Sequence, residues 1–136
     1  MPNRDIDEGG EAPCYAHLIE AEGDDAVLVK LGDLLQADGD GAVWSLPANG
    51  DLNANLVRIG PNAGIDAHRN SEVDVLVLVR SGAGEIVVDG RVSSVAADDL
   101  MLIPRNSTRA IRAGERGLVY VTVHRARGPL TVGRRA

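Results

Sequence analysis

The stretch VDVLVLVRSGAGEIVVDGRVSSV, residues 73–95, decides the fold class. Its first seven residues are apolar everywhere but Asp74, and they are too few for a helix of ordinary length. Valine dominates them, and a β-branched side chain is stiff in a helix but packs well on a pleated surface. A continuous apolar run of this kind suits a strand covered on both faces. Ser81-Gly-Ala-Gly84 then reads as a turn. Beyond it, EIVV and RVSSV flank Asp89-Gly90, a dipeptide that tolerates the positive φ needed at both centres of a two-residue hairpin turn.

Working outward, the same grammar repeats. Upstream, AVLVKL (26–31) is a strand candidate, and GDLLQ after it is one helical turn. AVWSL (42–46) stops at Pro47, and NANLVRI (53–59) stops at GPNAG. Downstream come LMLIP (100–104), TRAIRA (108–113) and LVYVTVH (118–124), the last two joined through Gly114 and Gly117. No apolar periodicity sustains a long helix. Strands of this length spaced about 10–12 residues apart predict an all-β sandwich or barrel. Residues 1–14 are polar, acidic and glycine-rich, which predicts a flexible tail before a single barrel domain over residues 15–136.

Composition narrows the function classes. Hydrophobic residues make up 44% of the chain and charged residues 25%. That globular balance excludes wholesale disorder. No run approaches the roughly 18 apolar residues of a membrane helix, and no signal-peptide pattern opens the sequence, so a soluble cytoplasmic protein is expected. One cysteine, Cys14, excludes an internal disulfide and a thiolate zinc cage. Residues 1–51 carry twelve acids against Arg4 and Lys30, whereas residues 52–136 carry eight acids against twelve arginines. The overall charge of −6 and the scarcity of aromatics (Trp44, Tyr15, Tyr120) argue against a nucleic-acid partner. The basic second half suits a small anionic ligand.

From about Leu56 to His124 the sequence resembles the cupin superfamily, small barrels of the double-stranded β-helix type. The first cupin motif is similar to Gly64-Ile-Asp-Ala-His68-Arg-Asn70-Ser-Glu72-Val-Asp74, closing at Gly82. The second is similar to Asp98-Asp99-Leu-Met-Leu-Ile-Pro104-Arg-Asn106-Ser-Thr-Arg109. The resemblance implies an all-β jelly-roll barrel that forms a homodimer. It also implies a metal position held by two histidines and an acid from the first motif and a histidine from the second. Here His68 matches the first ligand, but Asn70 and Arg109 stand where the other two histidines belong. Counting forward from His68 puts Asp74 at the acid position; counting back from Gly82 puts Val75 there. Asn106 replaces the glycine of the proline turn, which an asparagine tolerates because it visits positive φ readily.

An arginine at a ligand position brings a fixed charge in place of a lone pair. At about 4 Å and an effective dielectric near 20, it would repel a dication by roughly 8 kcal/mol. Three readings follow. In the first, no cofactor is expected, and Asn70, Arg109 and Tyr120 bind a small polar or anionic molecule that His68 orients. In the second, zinc, iron, nickel or manganese is held by a reshuffled set drawn from His68, Glu72, Asp74 and His124. A regular strand through residues 68–74 would send His68, Asn70, Glu72 and Asp74 to one face; a bulge would leave Glu72 in solvent. In the third, a metal-free isomerase or epimerase uses His68 as its catalytic base, with Tyr120 or a carboxylate as acid. His17 and Cys14 read as incidental.

Overall fold

The computed structural model describes residues 26–35, 39–47 and 50–126. The expected acidic tail, Cys14 and His17 lie outside these residues. Among the described residues no helix is long and apolar enough to cross a membrane. Past α1 (Leu31–Leu34) come β1 (Gly41–Ser45), β2 (Leu52–Ile59), β3 (Gly64–Arg69), β4 (Val75–Val88), β5 (Arg91–Ala96), β6 (Leu100–Ile103) and β7 (Thr108–Arg125), all paired antiparallel.

Two long strands organise everything else. The carboxyl-terminal half of β7 pairs with β2 on one side and with the first half of β4 on the other, and β1 and β6 extend that sheet at its edges. The first half of β7 pairs with β3 and with the second half of β4, which β5 then continues. Each long strand thus belongs to two sheets. Their inner faces share one core of Val75, Val77, Val79, Ile86, Val95, Ile103, Ile111, Leu118 and neighbours. This is the architecture that the strand spacing predicts.

The passage from one sheet to the other happens where the sequence offers glycine. SGAG is not the turn that the sequence suggests: β4 runs through it, with register shifts between Val79 and Ser81 and between Gly82 and Gly84. On β7, Ala113 and Leu118 pair with Gly84 and Gly82, so residues 114–117 swing out of the ladder. Gly82 and Gly117 both have φ of +80°, and a Cβ on Gly82 would collide with the Gly117 carbonyl. Two kinked strands cross here at backbone contact, and only glycine permits both the conformation and the approach. The Asp89-Gly90 turn is as expected, with φ 50 and φ 84 (degrees) at its two centres. Val88 pairs with Arg91 across it.

Two further expectations change. Residues 26–30 form no strand among the described residues, although Lys30 has extended backbone; GDLLQ falls where α1 forms. Val29, Leu31, Leu34 and Leu35 instead pack on the outer face of β2 and β7, around Leu56, Val119 and Val121. Nor is the run at 73–79 covered on both faces. Val75, Val77 and Val79 are buried, but Leu76 is exposed, as are its β6 neighbours Leu100 and Leu102.

The crossing makes a stability prediction. Gly90→Ala introduces positive-φ strain into open space. It should cost about 1 kcal/mol. Gly82→Ala adds a backbone collision to the same strain and should cost about 3 kcal/mol or more. Equal losses in denaturant unfolding would show that the crossing is not a constraint.

Candidate functional site

Between the two sheets lies a cavity of about 190 Å³ lined by Ile65, His68, Asn70, Val75, Val77, Ile103, Arg109, Ile111, Tyr120, Thr122 and His124. Its floor is apolar and its polar groups come from three segments. Tyr120, Thr122 and His124 alternate along β7 and therefore project together toward the core. Arg109 comes from the other half of β7, and His68 sits directly across from it on β3.

His68 reaches the cavity through an irregularity. Ile65 pairs with Ile111 and His68 with Arg109, so β3 holds one residue more than β7 between those pairs. A regular strand would send Ile65 and His68 to opposite faces; the bulge brings both to the cavity. The histidine Nδ1 lies 3.1 Å from the Asp66 carbonyl. A carbonyl only accepts, so Nδ1 carries the proton, and Nε2 is the ring atom left for other chemistry.

Asn70 ends the strand. Its side-chain oxygen accepts from the Glu72 and Val73 amides at 2.8 and 3.4 Å, a local turn that aims the chain into β4. The Asn70 carbonyl accepts from the Asn106 amide at 2.7 Å, tying this turn to the proline turn. Asn106 has φ of 71°, as its replacement of glycine requires. Because the chain turns at Asn70, the shared face of residues 68–74 breaks there. Glu72 and Asp74 do not line the cavity; they border an outer groove with Leu76, Leu102, Arg105 and Arg125. One Asp74 oxygen accepts the Arg105 amide at 2.8 Å. Val75, not Asp74, faces the cavity at the acid position, so the count back from Gly82 is the one the geometry follows.

Arg109 is 5% exposed. Its Nη2 donates to the Pro104 carbonyl at 3.3 Å, an oxygen that the Ser107 amide and hydroxyl also reach. The proline turn thereby helps hold the guanidinium at the cavity. Tyr120 is buried to 3% exposure. Desolvation pushes its phenol from 10.0 up to about 12, so it stays a protonated donor through the physiological range. Asn55 donates to the Thr122 hydroxyl at 3.4 Å and accepts from Ser45 at 2.6 Å, which orients Thr122 from β1 through β2. His124, half-buried, sits between cavity and outer groove, with Nδ1 2.9 Å from the Arg125 carbonyl.

Of the residues singled out in the sequence, His68, Asn70, Arg109, Tyr120 and His124 converge on one cavity, and Glu72 and Asp74 do not. Thr122 completes the set; its parity with Tyr120 and His124 was the signal for it. The described residues do not fit a conventional divalent centre. Asn70 spends its oxygen on backbone amides, and Val75 and Arg109 fill two further ligand positions. No three His, Cys, Asp or Glu cluster among the described residues, and such a centre needs several converging ligands.

Solved structures share this architecture. A double-stranded β-helix protein from Klebsiella pneumoniae has a TM-score of 0.63 at 14% identity, covering 74% of this chain and 90% of that one. A cupin protein from Bacteroides fragilis has a TM-score of 0.58 at 20% identity, covering 71% and 86%. A protein from Bacillus halodurans gives 0.66 at 21% identity, covering 79% and 86%. Such likeness shows the fold, and the chain is a cupin-type barrel. No protein-family profile and no curated protein matches the sequence.

The buried phenol makes a pH prediction. Between pH 10 and about 12 the folded chain keeps a proton that the unfolded chain releases, so stability falls as pH rises through that window. Tyr120→Phe should flatten the slope, by up to about 1.4 kcal/mol per pH unit. Unchanged alkaline unfolding curves in the variant would place the phenol in contact with solvent.

Proposed function

We propose that this barrel binds a small organic anion in the cavity between its sheets, without a conventional metal centre. The observation that supports this reading most is the composition of the lining. One buried guanidinium, two imidazoles, an amide, a phenol and a hydroxyl meet over an apolar floor, and no Asp or Glu is among the described lining residues. A buried arginine offers a planar fork of donors to a carboxylate or phosphate, and the low-dielectric surroundings strengthen the contact. Tyr120, protonated throughout, and Thr122 supply further donors, while Ile65, Val77, Ile103 and Ile111 receive a short hydrocarbon part. With a volume of about 190 Å³, this pocket suits a small anion or the anionic end of a longer one.

The cavity wall is built from strands, and its polar groups are fixed by backbone contacts at Pro104, Asp66 and Arg125. Such a site is organised before the ligand arrives, which reduces the ordering cost of binding.

Calorimetric titration with monocarboxylates of three to five carbons should show binding to wild type. Arg109→Gln should weaken it at least about tenfold, the share of one charge-assisted contact. Equal affinity in variant and wild type would make Arg109 a structural charge and remove this reading. Zinc, nickel or manganese chloride should leave the melting temperature of the chelator-treated protein unchanged; a rise of several degrees would favour a metal site instead.

A further inference from the structure

The two histidines of the cavity share a feature that binding alone does not require. His68 comes from β3 in one sheet and His124 from the end of β7 in the other, so they line the cavity from opposite walls. Each holds Nδ1 against a backbone carbonyl, of Asp66 and of Arg125. In each ring Nε2 is then the nitrogen that the backbone does not hold. Among the described residues the other candidates for the base are removed: Glu72 and Asp74 border the outer groove, Arg109 carries a fixed charge, and burial keeps the Tyr120 phenol protonated, so that it serves as a donor.

We propose that His68 and His124 form a proton-transfer pair acting on a small 2-oxo carboxylate, or a carboxylate of like C–H acidity, held by Arg109. This rests on the reading of the cavity as an anion site. In the step, Nε2 of one histidine takes a proton from the carbon beside the carbonyl. That C–H bond breaks, its electron pair passes into the enolate, and the carbonyl oxygen takes the negative charge. The Tyr120 hydroxyl and the Arg109 guanidinium are the donors in the same cavity that stabilise that oxygen. Nε2 of the opposite histidine then delivers a proton, a new C–H bond forms, and the carbonyl is restored. Nothing is oxidised or reduced. The two rings end with their protons exchanged, and solvent resets both, the exposed His68 and the half-buried His124. A proton that leaves one face of the carbon and returns on the other inverts that centre, so the reaction class is an epimerisation.

The test follows loss of the C3 proton signals of pyruvate and 2-oxobutanoate in D₂O by proton NMR, beside calorimetric binding of the same acids. Wild type should exchange these protons at least about 100-fold faster than protein-free buffer, the low end of general acid–base catalysis, and EDTA should leave the rate unchanged. His68→Gln and His124→Gln should each lose at least about tenfold in exchange. In both, the melting temperature should hold, and any loss of 2-oxobutanoate affinity should be smaller than the loss of exchange. Binding without exchange in wild type, or full exchange in either histidine variant, would overturn the pair and leave the anion reading standing. Exchange abolished by EDTA would overturn it in favour of a metal. Absence of binding by wild type would overturn the anion reading itself, and this inference with it.

Discussion

The contact between the backbones of β4 and β7 at Gly82 and Gly117 is the constraint on which the molecule depends. Both strands must change sheets, and they do so at the same place, with positive φ and no room for a side chain. The crossing brings the second half of β4 and the first half of β7 over their own other halves. Val75, Val77 and Val79 then face Ile86, Ile111 and Ala113 across one core, and a volume bounded by both sheets exists at all. Without it the same strands would form an open sheet with one face in water.

The site inherits its geometry from that crossing. Arg109 lies on one arm of β7 and Tyr120, Thr122 and His124 on the other, far along the same strand, yet they border one cavity. Burying a guanidinium is costly unless it is hydrogen-bonded, and the Pro104 carbonyl offsets part of that cost. The proline turn is held from outside in its own right. Asn70 accepts the Asn106 amide through its carbonyl, and Asp74 accepts the Arg105 amide. Asp74 thus shapes the cavity mouth from the outer groove rather than reaching into it. The chemistry of the first motif has been redistributed: one histidine remains in place, and the residues around it bind backbone.

Alternation, glycine placement and the Asp-Gly dipeptide determined the fold class, because a pleated strand imposes a period of two and a tight hairpin imposes positive φ on its turn. The same rule put Tyr120, Thr122 and His124 on one face, and the resemblance turned Arg109 inward. These follow from local backbone geometry, which a sequence carries directly. Tertiary structure decided the rest. SGAG looked like a turn because glycine is the usual punctuation, but the strand partners on both sides of it keep β4 extended through the kink. Residues 26–31 had the pattern of a strand, yet pairing, not pattern, makes a ladder, and 26–30 join none among the described residues. The bulge in β3 and the turn at Asn70 separated His68 from Glu72 and Asp74. Register in a short edge strand depends on the partner's hydrogen bonds across the sheet, and one extra residue moves every following side chain to the opposite face.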